Sequence, residues 1–315
     1  VGVTVGGTSL VANSIGENNK ENILGYFAHT IIYAVLVSIL ITIIGLVFSP
    51  ILFVLMGSVH EVIVLSLQYT NVIFAGSIIF IMLVALNSLL HADGDTKTYR
   101  NVLILSFFLN IGLNPLFIFG YGLIPAMGIA GIGVATIVAQ FIGLLIIFNK
   151  VIKSSRIKDI SRKYFYPKVY LLRNLFYQSA PISAALLLIS VGNFIILAYI
   201  GVFGEHATAG YGSAARFEQI LLLPVLGLNT AIISIIGQNY GAKNCILIEN
   251  VNEVETSVFN NAVSIGITAS ASAPEILVKN LLNKLSKKFD LNIIESSFEK
   301  EDIHFKIPQK LKEAS

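Results

Sequence analysis

The chain has 315 residues, 55% of them hydrophobic and 12% charged, with a mean hydropathy of +0.79. A soluble domain carries about 25% charged residues, so an ordinary soluble protein is excluded for most of the length. The single cysteine, Cys245, excludes an intrachain disulfide framework and a multi-cysteine metal site. The net charge of +3 hides a split: residues 1–244 hold 13 Lys/Arg and 8 Asp/Glu, whereas residues 245–315 hold 8 Lys and 10 Asp/Glu. The first part has a membrane composition and the second that of soluble protein.

In chain order, residues 1–15 are apolar but too short to cross a bilayer, and they begin without methionine; they predict a helix cut off at its N-terminal end. Residues 22–60, 62–92, 101–149, 174–204 and 219–242 then contain no Asp, Glu, Lys or Arg. A spanning helix needs about 20 apolar residues. The runs predict complete spans near 26–48, 63–90, 102–120, 128–148, 175–201 and 211–237, with "GYGLIPAMG" (120–128) as a turn inside the longest run. Alternate loops, 16–22, 91–101 and 150–173, carry the Lys and Arg. The last holds Lys150, Lys153, Arg156, Lys158, Arg162, Lys163, Lys168 and Arg173 against one acid, Asp159. The positive-inside rule makes these loops cytoplasmic and puts residues 238–315 on the same side. The expected location is the plasma (inner) membrane, multi-pass, with a bilayer and a small amphiphilic or cationic substrate as partners and no nucleic acid.

Polar groups inside a span are costly and often functional. Asn110 and Asn114 lie one helical turn apart and share a face, followed by Pro115, which removes a backbone donor. Two amides on one face suit a cation site, or else interhelical hydrogen bonding. Arg216 and Glu218, two residues apart, do not face each other on a helix; they belong at the outer interface or form an intramembrane relay. Pro181 and Pro224 are expected to kink their helices. His29, His60 and His91 are isolated and receive no ligand role. "SLVANSIGENNKEN" (9–22) also echoes "AIISIIGQNYGAKN" (231–244), with Gly16 matching Gly237 and Asn18 matching Asn239. Six spans separate them, the spacing of a parallel transporter repeat, although Gly and Asn are also frequent at helix ends.

The tail has a different pattern. "CILIEN" (245–250), "VSIGIT" (263–268), "LNIIES" (291–296) and "IHFKI" (303–307) read as short strands. "SAPE" (272–275) has capping-box spacing, with Ser272 as N-cap. The helix after it puts Ile276, Leu277, Leu281, Leu282, Leu285 and Phe289 on one broad face. A small α/β soluble lobe is expected over 245–315.

Several segments carry a family resemblance. "GYGSAARFEQILLLPVLGLNTAIISIIGQNYGAKN" (210–244) resembles the eighth helix of the multidrug and toxic compound extrusion (MATE) family. "LNIGLNPLFIFGYGLIPAMGIAGIGVATIVAQ" (109–140) resembles its fifth and sixth helices, and "HADGDTKTYRN" (91–101) its loop between helices four and five. The resemblance covers about residues 1–244. It implies an antiporter exporting organic cations or other amphiphiles against a proton or sodium gradient, with twelve helices in two lobes. This chain would run from mid-helix two to the end of helix eight. The implied fold is an all-α polytopic membrane protein, an incomplete bundle of about six full spans and one truncated. Its N-lobe helices occupy 1–148, a basic interlobe loop 149–174 and two C-lobe helices 175–244. Asn110 and Asn114 match an N-lobe cation and proton site, and Thr136 another residue lining it; Thr136 could equally bond back to its own helix. Part of the family has aspartate where this chain has Asn114, and an amide does not titrate.

"IGITASASAPEILVKNLL" (265–282) and "EKEDIHFKIPQKL" (299–311) resemble the C-terminus of 4-hydroxy-3-methylbut-2-enyl diphosphate reductase, an iron–sulfur enzyme of isoprenoid synthesis. In that resemblance Ser272 matches a serine that binds substrate diphosphate. The family's cluster cysteines lie upstream of this segment, and one thiolate cannot hold a [4Fe–4S] cluster. No enzyme activity, resident cofactor or metal is therefore expected of this chain alone. The readings that follow are an incomplete efflux antiporter, the last lobe of a reductase, or a chimeric chain without activity of its own.

Overall fold

The computed structural model describes residues 1–57, 59–243, 245, 246, 248, 250–260, 262, 264–267 and 275–294. They belong to two compact units, Val1–Ile246 and Leu247–Ser315.

In the first unit two asparagines make the first turn. Asn18 takes a left-handed φ of 53° beyond α1 (Gly2–Gly16), a conformation Asn tolerates better than most residues. The Asn19 side chain then accepts the Asn22 N–H and caps α2 (Lys20–Leu55). The uncharged run continues as one helix of 36 residues, longer at both ends than the expected 26–48. That is about 54 Å of helix against a hydrocarbon core of about 30 Å.

The expected span 63–90 forms two helices, α3 (His60–Ala75) and α4 (Ser77–Ala92), bent by 43° at Gly76. Gly76 has no Cβ, and one placed there would collide with the Ile137 side chain. Across the bend, Thr42 Oγ1 donates to the Phe74 carbonyl at 2.9 Å and Ser77 Oγ to the Ser38 carbonyl at 3.2 Å. The two hydroxyls lie 2.7 Å apart, but each has one proton, so two of these three bonds hold at a time.

α5 (Lys97–Phe119) and α6 (Ile129–Ile152) are joined by the predicted turn. Tyr121 and Ile124 exchange backbone hydrogen bonds at 3.0 Å. Gly120 sits at φ 75°, and a Cβ there would lie 2.6 Å from the Ala126 nitrogen, so only glycine fits this corner. The basic stretch forms two short 3-10 turns, Ser155–Ile157 and Arg162–Phe165, before α7 (Val169–Gly201) and α8 (Glu205–Gly241). Pro115 and Pro181 lie inside α5 and α7 without ending them.

Among the described residues, four helices, α2, α5, α6 and α7, are each long and apolar enough to cross a bilayer, and α3 with α4 makes a fifth if the bent pair is one span. The expected span 211–237 lies within α8, a helix of 37 residues. Fully buried side chains gather near one end of the bundle: Val11, Leu24, Phe27, Leu89, Val102, Ile147 and Val151 form one cluster with Ile157 of the basic stretch. Ion pairs close the same end, Arg156 with Asp93 at 2.9 Å, Lys150 with Asp95 at 3.8 Å, and Lys20 with Asp159.

The second unit departs from expectation. No strand forms among its described residues: residues 264–267 and 291–294 have no ladder partner there, nor do Cys245 and Ile246 at the end of the first unit. An extended segment of four to six residues gains little without a neighbour to pair with. The segment 303–307 lies outside the described residues. What does form is α9 (Glu275–Ser286), with 3-10 turns at Val251–Glu253 and Thr256–Phe259. Its buried face is narrower than expected: Leu281 and Leu285 pack with Val254 and the partly buried Phe289, while Ile276 and Leu277 are exposed. Lys284 Nζ donates to the carbonyls of Val251 and Asn252 at 2.8 and 3.0 Å, tying α9 to the first of these turns.

Candidate transport site and lobe contact

α5 and α6 run antiparallel in close contact. A Cβ on Gly131 would lie 2.5 Å from the Phe117 carbonyl, and one on Gly143 would lie 2.6 Å from Val102 Cγ1. This register puts Thr136 about level with Asn110, with Asn114 one turn further along α5. The three predicted residues therefore lie within one turn of each other along the helix pair.

Their hydrogen bonds are local and incomplete. Asn110 Nδ2 donates to the Ser106 carbonyl at 2.9 Å, and Thr136 Oγ1 donates to the Ile132 carbonyl at 2.9 Å. The Thr136 bond is the back-bond to its own helix. Asn110 Oδ1, Asn114 Oδ1 and Ser106 Oγ are buried atoms without a hydrogen-bond partner among the described residues. They recur every four residues, so one face of α5 carries a column of free acceptors. A buried acceptor without a donor costs about 1–3 kcal/mol; a cation or a proton donor reaching this face would recover that cost. Ser106 was not singled out from sequence, because serine in an apolar helix has no distinctive signal. Its spacing of four from Asn110 was the available clue.

Arg216 and Glu218 are elsewhere. They are exposed on α8, which packs on α1, α4 and α7, and neither makes an ion pair among the described residues. Ser272 lies outside the described residues.

The echoing segments 9–22 and 231–244 meet where α1 lies along α8. A Cβ on Gly237 would be 2.9 Å from Ala12 Cβ; added atoms on Gly16 and Gly241 would collide with the Gln238 and Asn13 carbonyls. Small residues let the two backbones touch, as in membrane helix pairs. Beside them the last carbonyl of α4, Ala92 O, accepts from Ser234 Oγ at 3.4 Å and from Gln238 Nε2.

Two histidines have roles that sequence reading missed. His29 is fully buried; Nδ1 donates to the Gly25 carbonyl at 2.8 Å and Nε2 accepts the Lys168 N–H at 2.8 Å. It fastens the end of the basic stretch to α2. His91 pairs with Asn87 at 2.9 Å and meets the Tyr99 ring edge-on at 5.7 Å. The (i, i+4) spacing of Asn87 and His91 in an apolar run was legible but unused.

A bundle of long apolar helices with buried amides in its interior and cations at one end defines a polytopic helical membrane protein. Comparison with known proteins narrows the class: residues 1–116 and 181–274 match the family model described as MatE, and the chain belongs to that family. It is 26% identical over 245 residues to the probable multidrug resistance protein YoeA of Bacillus subtilis, covering 77% of this chain and 53% of the relative. It is 25% identical to the FAD transporter of Shewanella oneidensis, covering 77% and 54%. Among solved structures, MATE in the bent conformation superposes with a TM-score of 0.67 at 29% identity, covering 77% of this chain and 54% of that one. An inward-facing multidrug resistance MATE family transporter gives 0.65 at 29%, covering 77% and 55%. The chain thus spans about half the length of the relatives it matches. The family match ends at residue 274, beyond the first compact unit, which ends at Ile246. The unit boundary is the more physical divide, since it coincides with the change in charge density near residue 244.

Proposed function

We propose that this chain contributes the N-lobe and the first C-lobe helices of an efflux antiporter that exports organic cations or other amphiphiles, driven by a proton or sodium gradient. The observation that carries the reading is the pair of orphaned acceptors, Asn110 Oδ1 and Asn114 Oδ1, one turn apart within a MatE-family bundle. Two amide oxygens suit a desolvated cation, or a protonated group on a substrate. Thr136, about level with Asn110, would turn its hydroxyl lone pair to the same ligand. An amide does not titrate, so a proton-driven cycle needs its titrating group elsewhere; sodium fits Asn114 better. Arg216 and Glu218, exposed and unpaired, fit the outer interface better than a relay. The basic end would face the cytoplasm of the plasma (inner) membrane, together with residues 238–315.

The multidrug names of several relatives favour drug-like compounds as cargo, and a cationic one would suit the amide oxygens. Cells lacking their own exporters and expressing this chain should retain less of a fluorescent cationic dye than empty-vector cells. Asn110→Ala and Asn114→Ala should each return retention to the control level at equal membrane abundance. Dye retention identical to empty vector in the parent would refute the reading. For the resemblance of residues 265–311 to a reductase terminus, no observation beyond the sequence favours catalysis; with Cys245 alone available as a thiolate, no redox chemistry is assigned to this chain.

A further inference from the structure

α7 enters the bundle with two unlike faces. Leu171 and Leu175 are 2% and 0% exposed, and Ser179 one turn on is also buried. The opposite arc carries Val169, Tyr170, Arg173, Phe176 and Tyr177, all within about 120° at 100° per residue. Every one of them is exposed, Val169 at 79%, Tyr170 at 57% and Tyr177 at 59%. Just before α7, Arg162, Lys163, Phe165, Tyr166 and Lys168 continue the mixture, with Tyr166 at 76%. Cations and rings are interleaved in space as well as in sequence. Lys163 Nζ lies 4.9 Å from the Tyr164 ring centroid, and the Arg173 guanidinium 5.3 Å from that of Tyr177.

The charges on this strip meet rings rather than acids, and Arg173 also donates to the Tyr177 hydroxyl at 3.4 Å. The nearby carboxylates Asp93, Asp95 and Asp159 are taken by Arg156, Lys150 and Lys20, and Glu21, which lines a cleft with Tyr164, Lys168 and Tyr170, makes no ion pair with the strip among the described residues. Arg162, Lys163, Lys168 and Arg173 have no carboxylate partner among the described residues. Yet the strip is held in place: the Lys168 N–H bonds His29, and Asn174 Nδ2 donates to the Tyr26 hydroxyl at 2.9 Å. A solvated linker needs neither fixed anchors nor exposed aromatic rings beside its cations.

We propose that residues 162–177 form a binding surface for the headgroups of anionic phospholipids in the leaflet at this end of the bundle. The four cations meet lipid phosphates. The tyrosine and phenylalanine rings sit at the headgroup boundary, where one edge is apolar and the other wet, and the long cationic side chains lie along them with their charged ends outward. Phospholipid is favoured over a soluble anion because the strip lies at the entry of an apolar helix and offers apolar area next to each charge. The proposal requires that the chain span a bilayer, and is independent of the transport site.

The test uses the full chain, reconstituted in phosphatidylcholine vesicles with a minor share of phosphatidylglycerol and excised with a styrene–maleic acid polymer. The co-excised lipid should be enriched in phosphatidylglycerol relative to the bulk. A fourfold variant, Arg162→Gln, Lys163→Gln, Lys168→Gln and Arg173→Gln, should bring the ratio to that of the bulk, the scale being about fivefold per charge near an anionic surface. Lys153→Gln with Lys158→Gln, off the aromatic strip, should keep the enrichment. Tyr170→Ser with Tyr177→Ser leaves all four charges in place and should reduce it. Equal enrichment in the parent and the fourfold variant would overturn the proposal. So would enrichment that inorganic phosphate abolishes, which would mark a site for soluble anions.

Discussion

His29 would be lost in an inventory of ligands, yet both its ring nitrogens are engaged inside the bundle, one holding its own helix and the other the start of α7. His29→Ala removes two buried bonds and leaves the Lys168 N–H without an acceptor, so it should destabilise the fold by roughly 2–4 kcal/mol. Thermal unfolding in detergent measures this; an unchanged midpoint would show the bond to be dispensable. Asp95 adds a dependence on pH. Partial burial raises its pKa, but the Thr98 hydroxyl and N–H, the Lys150 charge and the Lys97 N–H outweigh that, and the net value is below the ordinary one. A group depressed in the folded state stabilises above its unfolded pKa and loses that contribution as pH falls through the folded value. The α4–α5 turn should therefore loosen only in acid below the usual carboxylate range, with the Thr98 amide resonance reporting the step and Asp95→Asn abolishing it. Asn110 and Asn114 were legible in sequence because an amide stands out in an apolar run. The spacings of Ser106 and of the Asn87–His91 pair could be read too, but their meaning could not, because it depends on which neighbours leave an atom unpaired.

For whole helices, the closest tolerances are between α1 and α8. The echo of 9–22 in 231–244 was visible in the sequence, but similarity between two segments does not say that they touch. On a Cys245→Ser background, Ala12→Cys with Gly237→Cys should form an intrachain cross-link on mild oxidation, since the two Cβ positions are 2.9 Å apart before any adjustment and a disulfide wants about 3.8 Å. No cross-link under conditions that oxidise exposed thiols would mean that the helices stand apart. The bend between α3 and α4 was not legible, because a lone glycine in an apolar run does not say which neighbour will come against it, here Ile137. Among the described residues of the tail the expected strands did not form, for a related reason. A run of four to six apolar residues is equally compatible with several conformations, and only a pairing partner makes it a strand.

Across the whole chain, charge-free runs marked the helices and charge density marked the divide between units, because both follow from the cost of burying charge in hydrocarbon. Helix ends were less legible: caps such as Asn19 fix them, and α2 runs well past the stretch that hydropathy alone delimits. Since the first unit holds its own core, a chain ended after Ile246 should retain the helical circular dichroism and main melting transition of the parent. Loss of the transition would show that the second unit is needed for the first to fold. The length of α2 has a mechanical consequence. Lys20, Tyr26 and His29 fasten one end of it to the segment 159–174, while beyond Ile39 its side chains are largely exposed. About two thirds of the way along, Thr42 bonds the Phe74 carbonyl and Gly45 lies against the Phe74 ring, so the rod of about 54 Å is gripped a second time by α3. A tilt of about 5° at the fastened end, which would displace the far end by about 5 Å, must therefore carry α3 with it, and small rearrangements among three hydrogen-bonded side chains would be passed to the bent pair.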